Sequence, residues 1–230
     1  MLQNRVVIVT GAKGGLGSFV TQAFLEAGAT VIGVSRSISK SDFPHSSFVA
    51  MPAELSSLDA ARHVVDSVVA GHKRVDAAVH LIGGFAGGQS VEDTEDETID
   101  RMLDLNFRSA FHLVRAVVPH MRRQKSGRIV AVGSRSAVEP SGGSAAYGAS
   151  KAALVSLIRS VAAENAEFGI AANVVLPGTL DTAANRAANP SADFPKWVDP
   201  RQVAAALLHL ASESSSGVNG AVIPIYGRDV

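Results

Sequence analysis

Short apolar runs alternate with amphipathic stretches along the 230-residue chain. The runs are rich in Val, Ile and Ala, as is typical of strands buried on both faces of a parallel sheet. The stretches between them repeat apolar residues at helical intervals. The predicted strands are residues 6–9, 30–34, 48–51, 75–82, 128–134, 171–176 and 221–225. The predicted helices are residues 18–27, 58–70, a long helix that opens on the acidic residues 92–97 and runs through Val117, residues 152–168 and residues 203–212. This alternation predicts an α/β fold.

Length and composition predict a single domain, residues 1–230, because 230 residues that are 47% hydrophobic suit one sizeable core. The 21 basic residues balance the 21 acidic ones, so we expect no nucleic-acid partner and no anionic membrane partner. There is no cysteine, which excludes disulfides and thiolate metal sites, and we expect no metal. The first strand follows the start of the chain directly and no apolar run is long enough to span a bilayer, so we expect a cytoplasmic protein.

A glycine-rich loop links the first predicted strand to the first predicted helix. Gly11, Gly15 and Gly17 allow a tight turn and let backbone N–H groups approach a pyrophosphate at a helix N-terminus. The flanking strand and helix favour a dinucleotide site over the alternative, a purely structural turn. Lys13 in the same loop offers a positive charge.

The second predicted strand ends at Ser35 and Arg36, where a βαβ nucleotide site meets the adenosine ribose. An acidic residue would accept a hydrogen bond from a ribose 2′-hydroxyl, whereas a hydroxyl and a guanidinium suit a 2′-phosphate. We therefore expect NADP(H) to be preferred over NAD(H), the alternative being that Arg36 is a solvated side chain at a strand end. Lys13 adds charge near the same phosphate.

Tyr147 and Lys151 form the candidate acid–base pair. Four residues apart at the start of a predicted helix, they project from one face. A neighbouring ammonium lowers the pKa of a phenol, so the pair suits general acid–base chemistry; the alternative is an exposed helix pair. Asn106 lies inside the long predicted helix, with an amide on the solvent face as its simplest interpretation. The irregular segment 179–197 is expected to select the substrate, as a mobile loop or short helices.

Together these residues resemble the short-chain dehydrogenase/reductase family over essentially the whole chain. The resemblance rests on the glycine loop, Asn106, Ser134, the Tyr147 and Lys151 pair, and Pro177 with Gly178. It implies a doubly wound, seven-stranded parallel sheet of Rossmann type and a homo-oligomer, commonly a homotetramer. It also implies catalysis by Asn106, Ser134, Tyr147 and Lys151. The residues it implies as cofactor contacts are Gly11, Lys13, Gly14, Gly15, Leu16, Gly17, Ser35, Arg36, Glu54, Leu55, Gly83, Tyr147, Lys151, Pro177, Gly178, Leu180 and Thr182.

Two departures and a narrower likeness qualify this resemblance. His80 stands where the family usually has Asn, and Glu54 where it often has Asp; we interpret His80 as a structural replacement. Segments 83–88 and 176–197 are similar to the dihydropteridine reductase branch, which prefers NADH and lacks the catalytic Ser. The sequence thus favours an NADP(H)-dependent oxidoreductase acting on a small carbonyl or alcohol. Quinonoid pterin reduction is an alternative, and a non-catalytic NADP(H) sensor or scaffold is another.

Overall fold

The computed structural model describes residues 2–228, and in this part of the chain seven parallel strands form one sheet. The strands are β1 (Val6–Thr10), β2 (Thr30–Ser35), β3 (Phe48–Pro52), β4 (Ala77–His80), β5 (Gly127–Val132), β6 (Ile170–Pro177) and β7 (Val222–Ile225). Their order is β3-β2-β1-β4-β5-β6-β7, so the direction of winding reverses between β1 and β4. The doubly wound, Rossmann-like fold implied by the resemblance is confirmed.

Helices cover both faces of this sheet. They are α1 (Gly17–Glu26), α2 (Leu58–His72), α3 (Asp96–Leu103), α4 (Ser109–Gln124), α5 (Ala145–Asn165), α6 (Ala183–Ala188) and α7 (Pro200–Leu210). One core lies between the sheet and helices α2, α4 and α5. The other lies between the sheet and helices α1 and α7. This three-layer arrangement explains why the strands are apolar without alternation, since both faces of each central strand are buried.

Three predicted elements differ from the observed ones. The helix expected to open at residues 92–97 begins at Asp96, and it does not run unbroken, because a π-helical turn at Asp104–Arg108 separates α3 from α4. β4 is shorter than the predicted strand 75–82. The helix predicted over 152–168 begins at Ala145 and so includes both Tyr147 and Lys151. The segment after β6 contains the short helix α6 and a 3₁₀ turn at Phe194–Lys196.

Among the strands of the described residues, β7 lies at one edge of the sheet and pairs with β6 alone, as Pro224 in this strand indicates. None of the helices in residues 2–228 is both long enough and apolar enough to cross a membrane.

Candidate active site

The candidate acid–base residues converge at the carboxyl edge of the sheet. Ser134 follows β5 by two residues, and Tyr147 and Lys151 lie in the first two turns of α5. The Ser134 side chain lies close enough to the Tyr147 phenol to lower its pKa. Lys151 is 5% exposed, and its Nζ donates to the carbonyl oxygen of Val132 at 2.9 Å. A hydroxyl, a phenol and an ammonium therefore occupy one buried corner, an arrangement suited to moving a proton to or from a bound oxygen.

The electrostatics of the pair differ from what we expected. We expected Lys151 to lower the pKa of Tyr147; instead burial raises the pKa of the Tyr147 phenol, and the Ser134 side chain opposes that rise. Burial also lowers the pKa of Lys151 from 10.5 to about 8, because a cation loses hydration inside the protein. The Lys151 ammonium is directed to the Val132 carbonyl, so in this state the phenol stays protonated at neutral pH.

Asn106 is fully buried, so the interpretation of a solvent-facing amide is wrong. The π-helical turn adds one residue to the helix, and the Asn106 side chain packs inward. Its Oδ1 accepts from the Gly84 backbone N–H at 2.9 Å. Its Nδ2 donates to the Gly84 carbonyl at 3.0 Å and to Ser150 Oγ at 2.9 Å. Both amide hydrogens are thus engaged, which leaves Oδ1 as the side-chain atom that could still bind a water.

Gly83 lies between Asn106 and Lys151. A Cβ at this position would stand 2.8 Å from Asn106 Oδ1 and 3.1 Å from Lys151 Nζ. The absence of a side chain therefore permits the close approach of the amide and the ammonium. Both groups lie next to the carboxyl end of β4, which borders the switch point of the sheet where open α/β folds bind ligands.

The glycine loop is shaped by contacts that only glycine allows. Gly11 has φ +69°, and a Cβ on Gly17 would collide with the carbonyl oxygen of Gly11. A Cβ on Gly15 would stand 3.3 Å from Thr182 Cγ2, so the segment after β6 reaches the loop. Leu16 immediately precedes α1. The N–H groups of Gly11, Ala12, Lys13 and Gly14 already donate within the protein, so the amides of Gly15 and Leu16, next to the start of α1, are the ones available to a ligand.

A groove of about 1100 Å³ runs along this edge of the sheet. The predicted cofactor residues that line it are Gly11, Lys13, Gly14, Ser35, Arg36, Glu54, Leu55 and Gly83. Leu16 and Leu180 pack instead against the core beneath α1, and the Gly178 N–H donates to the carbonyl of Ile225 at 3.0 Å, next to the end of β6 at Pro177. Tyr147 and Lys151 do not line this groove, but Lys151 lies behind Gly83, which does.

Arg36 and Lys13 lie at the far end of the groove. Arg36 is exposed and makes no hydrogen bond or ion pair within residues 2–228. Lys13 does not extend freely toward a phosphate as expected, because its Nζ pairs with Asp42 Oδ1 at 2.9 Å and donates to the Ser37 carbonyl at 3.2 Å. The Lys13 backbone N–H donates to Ser35 Oγ at 3.2 Å. The loop and the end of β2 are therefore tied together.

Sequence reasoning missed Ser150 and Asp42. Ser150 is fully buried, accepts from Asn106 and donates to the Tyr147 carbonyl at 2.7 Å, so it joins the amide to helix α5. Its place between Tyr147 and Lys151 was an available signal. For Asp42 the signal was weaker: the spacing Ser39-x-x-Asp42 matches a capping box, which the structure contains.

The chain matches known proteins along most of its length. The family model for short chain dehydrogenase matches residues 5–193. Short chain dehydrogenase adrF of Penicillium rubens is 31% identical and covers 98% of this chain and 96% of its own. Asnovolin H dehydrogenase nvfC of Aspergillus novofumigatus is 32% identical, with coverage of 97% and 96%. The crystal structure of gox2181 superposes with a TM-score of 0.92 at 31% identity and covers 98% of this chain and 95% of its own.

Proposed function

Since the chain belongs to the short-chain dehydrogenase family and is an NAD(P)-dependent oxidoreductase, we propose that it transfers a hydride between NADP(H) and a small carbonyl or alcohol. The observation that carries this proposal is the Tyr147 phenol, which lies beside Ser134 and one helical turn from a buried Lys151. The glycine loop and the groove fit a dinucleotide, because the loop leaves the N–H groups of Gly15 and Leu16 available at the start of α1 and a Cβ at Gly17 would close this turn. A bound nicotinamide supplies the hydride.

The protein residues manage the proton. In reduction, Ser134 donates a hydrogen bond to the substrate oxygen and Tyr147 donates the proton. The raised pKa of the Tyr147 phenol keeps this group protonated and ready to donate. Lys151 passes a proton to the phenolate that remains, and Asn106 holds a water that returns a proton to Lys151. Because both Asn106 amide hydrogens are engaged, the water binds through Oδ1. These steps assign each of the four residues a separate task.

Replacing Tyr147 by Phe tests this mechanism. The substitution removes only the phenolic oxygen, so we expect NADPH to bind with unchanged affinity while kcat falls about 10²- to 10⁴-fold, the usual worth of general acid catalysis. The measurement is NADPH oxidation with an accepted carbonyl, with NADPH affinity followed by fluorescence titration. Turnover near the wild-type value in Tyr147→Phe would contradict the assignment.

The preference for NADP(H) rests on Arg36 and Ser35. Arg36 is exposed at the groove without an acidic partner in residues 2–228, so its guanidinium is available to a 2′-phosphate. Arg36→Asp should weaken NADPH binding far more than NADH binding, because the new carboxylate repels the phosphate. Arg201→Asp, on helix α7, is a control for the change in charge. Equal affinity of the unmodified protein for the two cofactors would contradict the preference.

Quinonoid pterin reduction is the second candidate, favoured by the position of Phe85. Its ring is 69% exposed and stands edge-on to Tyr147, with ring centroids 5.0 Å apart, so it offers a face to a planar heterocycle. One assay panel with NADPH separates the candidates: cyclic ketones, 3-oxoacyl thioesters and a quinonoid dihydropterin. Turnover of the pterin alone would favour the second candidate. Tight NADPH binding without any turnover would favour a non-catalytic sensor or scaffold.

Several broader predictions accompany this proposal. We propose that residues 1–230 form a single catalytic domain, that the protein acts in the cytoplasm and that it assembles as a homotetramer or dimer. Size-exclusion chromatography with light scattering measures the assembly state directly. A monomer at micromolar concentration would contradict the proposed oligomer. It would not bear on the catalytic assignment, which the Tyr147→Phe experiment tests.

A further inference from the structure

His80 is a buried histidine at the carboxyl end of β4 that takes no part in the proposed proton transfer. It is 2% exposed. Its Nδ1 lies 3.0 Å from Thr10 Oγ1, and its Nε2 lies 3.3 Å from Ser109 Oγ. The ring therefore bridges strand β1 and the first residue of helix α4, with strand β4 between them. Both ring nitrogens have hydroxyl partners, so the positions of the hydrogens decide what the bridge can do.

The hydroxyl hydrogens define one tautomer of the imidazole. Ser109 Oγ donates its only hydrogen to the Leu105 carbonyl at 2.7 Å, so toward His80 it can only accept. Nε2 must then carry a hydrogen, and in a neutral ring Nδ1 is the acceptor. Thr10 fits this pattern: its hydroxyl oxygen accepts from the Leu81 backbone N–H at 3.2 Å and its hydrogen is free to donate to Nδ1. These hydrogen bonds form a chain in which every group donates in the same direction, from the Leu81 N–H to the Leu105 carbonyl.

This chain ends on the turn that carries Asn106. Leu105 and Ser109 flank Asn106 in and beside the π-helical turn. On the other side, Leu81 leads into Gly83 and Gly84, and the Asn106 amide makes two of its hydrogen bonds to Gly84. The turn is thus held to the end of β4 at two points, one through the Asn106 amide and the other through His80 and Ser109. If the contact through His80 and Ser109 were lost, only the hydrogen bonds of the Asn106 amide would hold the turn to the end of β4.

We infer that His80 is a positioning residue, which as the neutral Nε2–H tautomer holds the π-helical turn against β4 so that Asn106 faces Lys151. This role rests on the proposed function of Asn106 and Lys151. The environment keeps the ring neutral, because burial, together with the charge of Lys151, lowers the pKa of His80 to about 3. A charged imidazole would present a hydrogen at Nδ1 to Thr10, which would force that hydroxyl to turn away from the ring.

Two substitutions at His80 separate the two halves of the bridge. Gln places its terminal amide near the position of Nε2 and can still donate to Ser109, whereas Asn places its amide near Nδ1 and reaches Thr10 alone. We expect His80→Gln to retain most of the wild-type kcat. We expect His80→Asn and Ser109→Ala each to lower kcat about 10- to 100-fold, as displacement of a catalytic group does, with KM for NADPH within about twofold. His63→Asn and His63→Gln, on the exposed side of helix α2, are matched controls.

The double variant tests whether His80 and Ser109 act as one unit. If they do, His80→Asn/Ser109→Ala loses no more kcat than the more affected single variant. Losses that multiply, or a His80→Asn variant with wild-type kcat, would overturn the inference. Thermal unfolding of each variant shows whether it is folded, and Ser109→Ala, which removes one hydroxyl, keeps the test decisive if a His80 variant does not fold.

Nitrogen NMR of the wild-type protein tests the tautomer without any assay of activity. The histidine signal that is missing from His80→Gln should show a protonated Nε2 and an unprotonated Nδ1, unchanged from pH 5.5 to pH 8. A protonated Nδ1, or titration with an ordinary histidine pKa, would overturn the inference even if Tyr147→Phe behaves as proposed. Conversely, an active Tyr147→Phe would contradict the proposed function and leave the tautomer result standing.

Discussion

Two regions of the groove, named here for their proposed functions, use charge in opposite ways: the catalytic end, where Lys151 lies behind the lining residue Gly83, and the adenosine end, where Arg36 and Lys13 lie. At the catalytic end, Lys151 is 5% exposed and its ammonium is solvated by a single backbone carbonyl. At the adenosine end, the Lys13 side chain is 44% exposed and its ammonium pairs with Asp42 beside an exposed Arg36. The pKa values follow this contrast: burial lowers the pKa of Lys151 to about 8, whereas the hydrogen bond from Lys13 lowers the pKa of Asp42.

This contrast shows that burial determines how strongly each charge affects stability and activity. A buried ammonium without a carboxylate partner destabilises the folded protein, because the charge loses its hydration. An exposed ion pair contributes little to stability and is weakened by salt. Substitutions at the catalytic end should therefore abolish activity and change stability. Substitutions in the ion pair at the adenosine end should change the affinity for the cofactor by small factors.

Lys151→Met should give the largest effect and the sharpest test of this contrast. Met fills a similar volume without the charge, so we expect kcat to fall about 10²-fold or more while the protein becomes more stable at pH 7. The lowered pKa of Lys151, about 8 instead of 10.5, corresponds to a penalty of about 3 kcal/mol for the charged form in the folded state. The substitution removes that penalty.

The pH dependence of stability checks the sign of this effect. Between about pH 8 and pH 10.5 the unfolded wild-type chain binds more protons at Lys151 than the folded chain, so wild-type stability rises with pH across this window. The advantage of Lys151→Met should therefore be full below pH 8 and shrink as the pH approaches 10.5. Urea unfolding of both proteins at pH 7 and pH 9.5 measures the difference. A variant that is less stable than wild type at pH 7 would contradict the contrast.

Gly83→Ala should have the next largest effect, since it adds a methyl group between the two buried polar groups. The new Cβ would stand 2.8 Å from Asn106 Oδ1 and 3.1 Å from Lys151 Nζ, so at least one group must move. We expect kcat to fall about tenfold, because small displacements of catalytic groups are costly to the rate. Gly142→Ala is the matched control, since its Cβ would contact nothing within 4 Å. Equal kcat in the two variants would show that the catalytic end tolerates displacement.

The fold and the placement of the candidate acid–base residues Tyr147 and Lys151 on one helix were predictable from sequence, because both depend on local patterns. Buried strands, a glycine loop and the spacing of Tyr147 and Lys151 are visible in short windows of the chain. The direction of each side chain was not predictable. Asn106 is in a helical pattern, but the π-helical turn that brings it inward arises from long-range contacts with Gly84 and Ser150. Likewise Lys13 lies 29 residues before Asp42, and only the folded loop brings them together.

Asp42→Asn should have the smallest effect, because Asp42 lies at the exposed adenosine end. Asp42 holds the Lys13 ammonium at 2.9 Å and accepts from the Ser39 N–H at 2.8 Å; an amide keeps an oxygen for Ser39 and loses the negative charge. Lys13 then becomes available to a 2′-phosphate near Ser35 and Ser37.

We expect NADPH to bind about two- to fivefold more tightly to Asp42→Asn, within the range of an exposed ion pair, with NADH affinity unchanged. The gain should shrink as salt is raised, because exposed charges are screened, and it should vanish when Lys13→Met is added. Asp59→Asn, which removes an exposed acid on helix α2, controls for net charge. Fluorescence titrations with both cofactors at low and high salt measure these differences. Weaker NADPH binding in Asp42→Asn would mean that Asp42 orients Lys13 toward the phosphate, so that even an exposed ion pair here acts by positioning.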